Sequence, residues 1–314
     1  MPYHARVSDE SRERLAELAA LLRGCRDACS RIGEDRQWAP HPDSVCATDL
    51  ATFAGHPSVR DDRLVLDAVT TYLDLAAAHC GGLAGLCDTS EVVVSPWPLT
   101  RSILENCART VWILGGQPSD EPASNRLARA YIDNDRSAEY QKRIVQYLWG
   151  KQCPAYRTAK TRFERLRAEI RTVFPPSAGV DFNRHTINGQ VCPAPTDTVL
   201  WFFDLLAKSG SLALDTKAPT AIYDLLSTPT HPTLESGRRR RVFVRHGDRV
   251  DTVQTIHPAE IEWLTHLVVI GIYDTLSSIY RYCGWEFDPD HRFEALIART
   301  LPHFLRPTRI KETL

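Results

Sequence analysis

Apolar residues recur at helical spacing over most of this chain, in segments too long to be read as strands. Between Ser8 and Ile32 the stripe is Leu15, Leu18, Ala19 and Leu22. Ser8 is placed to cap the segment, and Asp9 and Glu10 suit the positive end of the helix dipole. A second helix begins near Asp61 and carries Val65, Ala68, Val69, Tyr72, Leu75, Ala76, His79, Leu83 and Leu86 on one face. Gly81, Gly82 and Gly85 weaken it. The punctuation is equally informative. A third helix follows Ser95-Pro96-Trp97-Pro98-Leu99 and stops at Gly115-Gly116, and a fourth spans about Glu121 to Trp149. Cys153-Pro154 separates that helix from a strongly charged one over Tyr156–Phe174. Short helices are expected over Thr198–Ser209 and Ala221–Ser227, and long or terminal ones after Pro258 and Asp288-Pro289.

Strand-like alternation is confined to RVFVRH and RVDTVQT around Gly247-Asp248, a suitable two-residue turn. The stretches Trp38–Pro57 and Pro175–Asp197 lack periodicity and read as loops. The expected fold is therefore all-α: a helical bundle with one small β-hairpin near residues 241–254. Its organisation is a helical region over 1–174, a linker or lid over 175–197, and a second helical region over 198–314 packed with the first. The 175–197 segment is expected to be more exposed than its flanks.

Composition removes several function classes. With 43% hydrophobic and 25% charged residues the chain can bury a core, so disorder is not the expectation. A formal net charge of -1 offers no global field for nucleic acid or an anionic bilayer. The most apolar stretch, Trp263 to Tyr280, is interrupted by His266, Asp274 and several hydroxyls, so it reads as a core helix and not a membrane span. The N-terminus has no basic segment followed by an apolar run, so no secretory signal is read there. The 9 cysteines form no Cys-x-x-Cys pair, and Cys25 and Cys29 lack partners at zinc-finger spacing. Free thiols in a cytoplasmic protein are the expectation.

Candidate chemistry is sparse. Arg101, Glu105 and Arg109 stand at i, i+4 and i+8 and can form an ion-paired ladder. Glu105 also borders the apolar stripe of Ala108 and Trp112, where a carboxylate serves either as a structural ion pair or as a base or ligand anchor. His79 sits in an apolar stripe, the setting of a core histidine or of a titratable site group. Tyr223 and Ser227 are four apart on a short helix ended by Pro229, with His231 and Glu235 just beyond. That set is capping material or polar equipment for a site. Glu262 and His266, together with Glu105, His79 and His231, would suffice for a mononuclear metal site if they converged, but no Glu-x-x-His pair of a dinuclear carboxylate bundle exists. A terpene-cyclase reading fails despite Arg281-Tyr282: Asp61-Asp62 and Asn134-Asp135 lack the rest of the magnesium-binding motifs. Arg238 to Arg241 reads as a solvated run or a phosphate contact. Arg241 and His246 match the Arg-x4-His spacing of HEPN-type ribonucleases, but on a strand instead of a helix.

The order of these segments carries a resemblance. His79 on an alanine-rich helix is followed by PLTRSILENCARTVWILG, then NRLARAY, then YDLLSTPTH. Over roughly residues 60–235 this resembles a broad group of bacterial helical proteins, common in actinobacteria and known as domains of unknown function. That group pairs an Arg-x-x-x-Glu helix with an Arg-rich helix and a Tyr-x-x-Leu-Ser-x-x-x-His segment. The resemblance implies an all-helical fold and draws attention to His79, Arg101, Glu105, Arg126, Tyr223, Ser227 and His231, without implying an activity. Where relatives carry Arg after the tyrosine, giving a HEPN-compatible Arg-x6-His, this chain has Asp224. A ribonuclease ancestor would thus have lost its catalytic arginine here.

The functional expectation is binding or conversion of a small molecule in a polar pocket of the bundle, in the manner of an enzyme of specialised metabolism. Glu105, His231, His79 and Tyr223 are its catalytic candidates, and Arg101, Arg109, Arg126 and Ser227 its substrate-binding candidates. No residue set assigns a metal, and no cofactor is named. The alternatives are a HEPN-like RNA-binding or defence protein and a non-catalytic scaffold. Neither a membrane nor nucleic acid is an expected partner, and a homodimer is left open.

Overall fold

The computed structural model describes residues 8–208, 218–228, 238, 241–254, 257–286 and 291–302. Its ten bounded α-helices are α1 (Asp9–Arg36), α2 (Val45–Ala54), α3 (Leu64–Thr89), α4 (Pro96–Leu114), α5 (Ala123–Trp149), α6 (Pro154–Val173), α7 (Pro195–Lys208), α8 (Ala218–Ser227), α9 (Pro258–Cys283) and α10 (His291–Thr300). Two antiparallel strand pairs complete the described structure: β1 (Thr186–Ile187) with β2 (Gln190–Val191), and β3 (Arg241–His246) with β4 (Arg249–Gln254). The all-α expectation and the 241–254 hairpin both hold, with Arg241 paired to Gln254 and His246 to Arg249.

Helices α1, α3, α4 and α9 pack side by side and share one core. α7 and α8 lie on α4, and α10 lies on α1. Elements before and after residues 175–197 therefore bury the same apolar surface. Gly271 of α9 permits a close approach to α4: a Cβ there would stand 3.0 Å from Leu104. Cys25, Cys29, Cys80 and Cys107 are buried among these helices, and desolvation holds their thiols well above the ordinary range. They pack as small apolar side chains. All nine cysteines are free. Among the described residues no helix is long and apolar enough to cross a membrane.

One segment departs from the sequence expectation. Residues 38–57 contain a ten-residue helix, α2, whose amide at Ala47 is capped by Ser44 Oγ at 3.0 Å. The Pro, His and Asp content of this stretch points to a loop, and its apolar face is short. Yet Cys46, Asp49 and Phe53 lie at i, i+3 and i+7 and are all buried. The 175–197 segment is exposed or half-buried at every residue but Ile187, and it is tied to the core locally. Ile187 is only 2% exposed, and Cys192 and Phe182 pack against the core. The β1–β2 turn at Asn188-Gly189 is built from two positive-φ residues, as a tight hairpin requires.

α5 and α6 form an antiparallel pair that is fixed to the body at one end only. Tyr131 donates to Glu169 at 2.6 Å, Arg167 grips Asp135 through two bonds of 2.8 and 3.0 Å, and Phe163, Ile170 and Val173 are buried. Between residues 139 and 162 no residue is buried, so the other end projects as a tip.

Candidate functional site

The sequence candidates separate into three clusters. In the first, Glu105 Oε1 accepts from Arg101 Nε at 2.8 Å and from the Tyr223 hydroxyl at 2.8 Å, while the Arg101 guanidinium lies 4.9 Å from the Tyr223 ring centroid. α4 supplies the ion pair by its four-residue repeat, and α8 delivers the tyrosine across the interface. Burial, reinforced by the neighbouring carboxylate, raises the Tyr223 pKa, so its hydroxyl stays a neutral donor. Arg101 and Glu105 remain 27% and 29% exposed at their side chains. Ser227 donates to the Tyr223 carbonyl at 2.7 Å, a bond within its own helix. His79 is half-buried on α3, and no described hydrogen bond joins it to Glu105 or Tyr223. His231 and Glu235 lie outside the described residues.

Arg109 does not complete the expected ladder. It lies over Trp112 at 5.1 Å, stands 3.7 Å from Asp133 and donates to Cys192 Sγ at 3.2 Å. Tyr72 donates to the other Asp133 oxygen, and Arg136 donates to the same sulfur at 2.6 Å. This second cluster is therefore a closed knot of α3, α4, α5 and the segment after β2. Tyr72, Asp133, Arg136 and Cys192 were not sequence candidates. Their partners are between 24 and 83 positions away and on separate elements, so local spacing gives no sign of them.

Arg126, a candidate anion anchor, forms the third cluster and has four of its five N–H donors engaged inside the protein. It is 2% exposed. Its Nε and Nη2 donate to the two oxygens of Asp49 at 2.6 and 2.8 Å, and its Nη1 donates to the carbonyls of Pro118 and Glu121 at 2.8 and 2.6 Å. Tyr282 adds a third bond to Asp49 at 3.0 Å. A buried arginine needs all of this to offset its desolvation.

Two cavities stand out, and neither is lined by the sequence candidates. One, about 430 Å³, is mostly apolar and lies between Phe53, Leu127, Val173 and Phe174, with His56 and Asn188 at its edge. The other is an open groove of about 550 Å³ along α6, lined by Arg60, Arg157, Arg162, Arg165, Asn134 and Glu169, with Thr158 and Thr161 between the arginines. Four arginines against one glutamate leave a net of three positive charges. Glu169 is already engaged by Tyr131, by the Arg60 amide at 3.2 Å and by the Arg60 guanidinium at 3.8 Å. No carboxylate lies within ion-pair distance of Arg157, Arg162 or Arg165 among the described residues. The repeat that puts Arg157, Thr161 and Arg165 on one face of α6 was present in the sequence. What the sequence hid was that α5 and the Arg60 loop wall this face into a groove.

No family model, curated protein or solved structure matches this chain.

Among the described residues one set of donor atoms is close enough to share an ion: those of Asp135, Glu139 and His185, all within 4.8 Å of one another. None was a sequence candidate. Both Asp135 oxygens are taken by Arg167, which also stands 3.6 Å from Glu139. A guanidinium thus already supplies the positive charge at this spot. The Glu262–His266 pair is not part of the set, and Glu262 forms an ion pair with Arg14 at 2.8 Å.

Proposed function

We propose that this protein binds a phosphate-bearing ligand in the α6 groove. The observation that carries this reading is the trio Arg157, Arg162 and Arg165, which share one concave face without a carboxylate partner. Guanidinium groups match phosphate oxygens in geometry, and clustered unpaired positive charge in a concavity focuses anions. Thr161 adds a hydroxyl at the same face, while the Thr158 hydroxyl donates to the Pro154 carbonyl of its own helix at 3.2 Å. Binding, not conversion, is what this groove supports, because it holds no nucleophile and one already engaged carboxylate.

Titration calorimetry with inorganic pyrophosphate at low salt tests it. Wild-type protein should bind with an affinity that falls as salt rises. Replacing Arg157 and Arg162 together by alanine should weaken binding by roughly tenfold or more, the loss of at least one charge-assisted contact. Equal affinity in the double variant, or no pyrophosphate binding by the wild type, would remove the proposal.

A second reading has its own observation. Glu105 and Tyr223, 118 residues apart in sequence, are hydrogen-bonded across two helices, with the tyrosine buried and the carboxylate partly exposed. A carboxylate that holds a neutral phenol is serviceable acid–base equipment for small-molecule conversion. This reading requires that Glu105→Gln impair turnover or binding of a ligand without a matching loss of stability.

A further inference from the structure

We infer that the phosphates this groove accepts belong to a single strand of nucleic acid, which continues from the groove along the projecting tip of α5 and α6. The inference rests on the groove reading and extends it to a class of ligand.

The tip has a composition unlike the rest of the chain. From Tyr140 to Arg162 there are six basic residues (Lys142, Arg143, Lys151, Arg157, Lys160, Arg162) and no aspartate or glutamate. The whole chain carries a formal charge of -1, so this surface is a local concentration of charge hidden by acids elsewhere. Arg157 and Arg162 belong to both tip and groove, so the two basic surfaces are continuous. Polyanion affinity depends on such local charge, not on the net value.

The same stretch carries four aromatic rings: Tyr140, Tyr147, Trp149 and Tyr156. Tyr147 is 79% exposed, Trp149 62% and Tyr140 59%. Nothing between 139 and 162 is buried, so these rings do not serve the core. Exposed rings interleaved with Lys and Arg fit unstacked bases, each of which offers a flat face, while the cations follow the backbone. A duplex hides those faces, which is why a single strand is the ligand. A bilayer fits less well: the apolar part of the tip is Leu148 beside Trp149, with Gln141, Gln146 and Gln152 interspersed, and the basic wall is concave.

The test uses the full chain with oligonucleotide, pyrophosphate and vesicle probes. Labelled oligo(dT) and oligo(rU) should bind with a steep salt dependence, more tightly than a duplex of the same length. Tyr147→Ala combined with Trp149→Ala removes no buried contact. It should weaken oligonucleotide binding by roughly tenfold or more while leaving pyrophosphate binding unchanged. Trp149→Phe should restore most of the loss caused by Trp149→Ala. Oligonucleotide binding that is indifferent to both rings, or absent while pyrophosphate still binds, overturns the inference and leaves the groove reading standing. Failure of both probes ends both. Ring-dependent binding to phosphatidylserine vesicles, without binding to either oligonucleotide, would assign the tip to a membrane surface and overturn the inference.

Discussion

Arginine occupies two opposite environments within the α5–α6 pair. Arg126, near the start of α5, is enclosed and spends its guanidinium on Asp49 and two backbone carbonyls. Arg157, Arg162 and Arg165 on α6 have no acidic partner and line an open groove. The residue type is the same, and its meaning is set by solvent. An ion withdrawn from water must be met by charge and hydrogen bonds, whereas one left in water can stay unmatched until a ligand arrives. Counting arginines therefore says little, but asking which carboxylate each one faces separates scaffold from site.

Asp49→Ala should give the largest effect, because it leaves Arg126 buried and uncompensated. A loss of about 3–5 kcal/mol in denaturant unfolding is expected, the cost of breaking a buried pair by removing one partner. Arg162→Ala should stay within about 0.5 kcal/mol of wild type, as a surface substitution away from packing does. A large destabilisation from Arg162→Ala would mean that the groove arginine is structural and would undo the contrast.

The Glu105 cluster sits between these extremes, and its effects should too. Its carboxylate is half-exposed, so the Arg101 contact contributes little by itself. The Tyr223 bond, made to a charged acceptor, contributes about 1.5–3 kcal/mol. Tyr223→Phe should lower stability by less than Asp49→Ala, and Glu105→Gln by less again, because the amide oxygen still accepts from the tyrosine. Paired in a double-mutant cycle, the two substitutions should show a coupling of about 0.5 kcal/mol or more, as residues in one hydrogen bond do. Additive losses would show that the bond contributes nothing and would remove the support for an acid–base role.

Helices were readable from the sequence where apolar periodicity ran for several turns, as in α1, α3, α4 and α9, and where proline or a glycine pair marked an end. α2 escaped because a ten-residue helix shows its buried face at only three positions, one of them an aspartate. That aspartate was itself the signal: a carboxylate in register with Cys46 and Phe53 must be paired inside. Arg101–Glu105 was readable because four-residue spacing is local. Asp49–Arg126 joins residues 77 apart, and nothing in either neighbourhood names the other. The groove failed for a different reason. Net charge averages over the chain, and a helix such as α5 can be recognised without revealing that none of its residues after 139 is buried.

The contrast between met and unmet charge extends to two aspartates, and this yields the smallest prediction. Burial raises the pKa of both Asp133 and Asp274. Asp133 is partly compensated by Tyr72, Arg109 and Arg136, so Asp133→Asn gives up contacts that Asp274→Asn does not. Asp274 on α9 has only the opposing influence of Arg281. Its folded pKa lies above the ordinary value of 3.8, so ionising it is harder in the native state than in the unfolded chain. The sign follows from linkage: its contribution to stability is fully present below that ordinary value and is lost as pH rises through the raised one. Above the ordinary aspartate range the wild type therefore bears the cost of a buried ionisable carboxyl, which Asp274→Asn removes. The variant should melt slightly higher there, by less than about 1 kcal/mol, with the advantage shrinking to nothing as pH falls below the ordinary aspartate range. Calorimetric melting of both proteins across that range measures the difference directly. A variant that is less stable at neutral pH would mean that Asp274 is as well matched as Asp133, and the distinction between met and unmet charge would not reach the interior of α9.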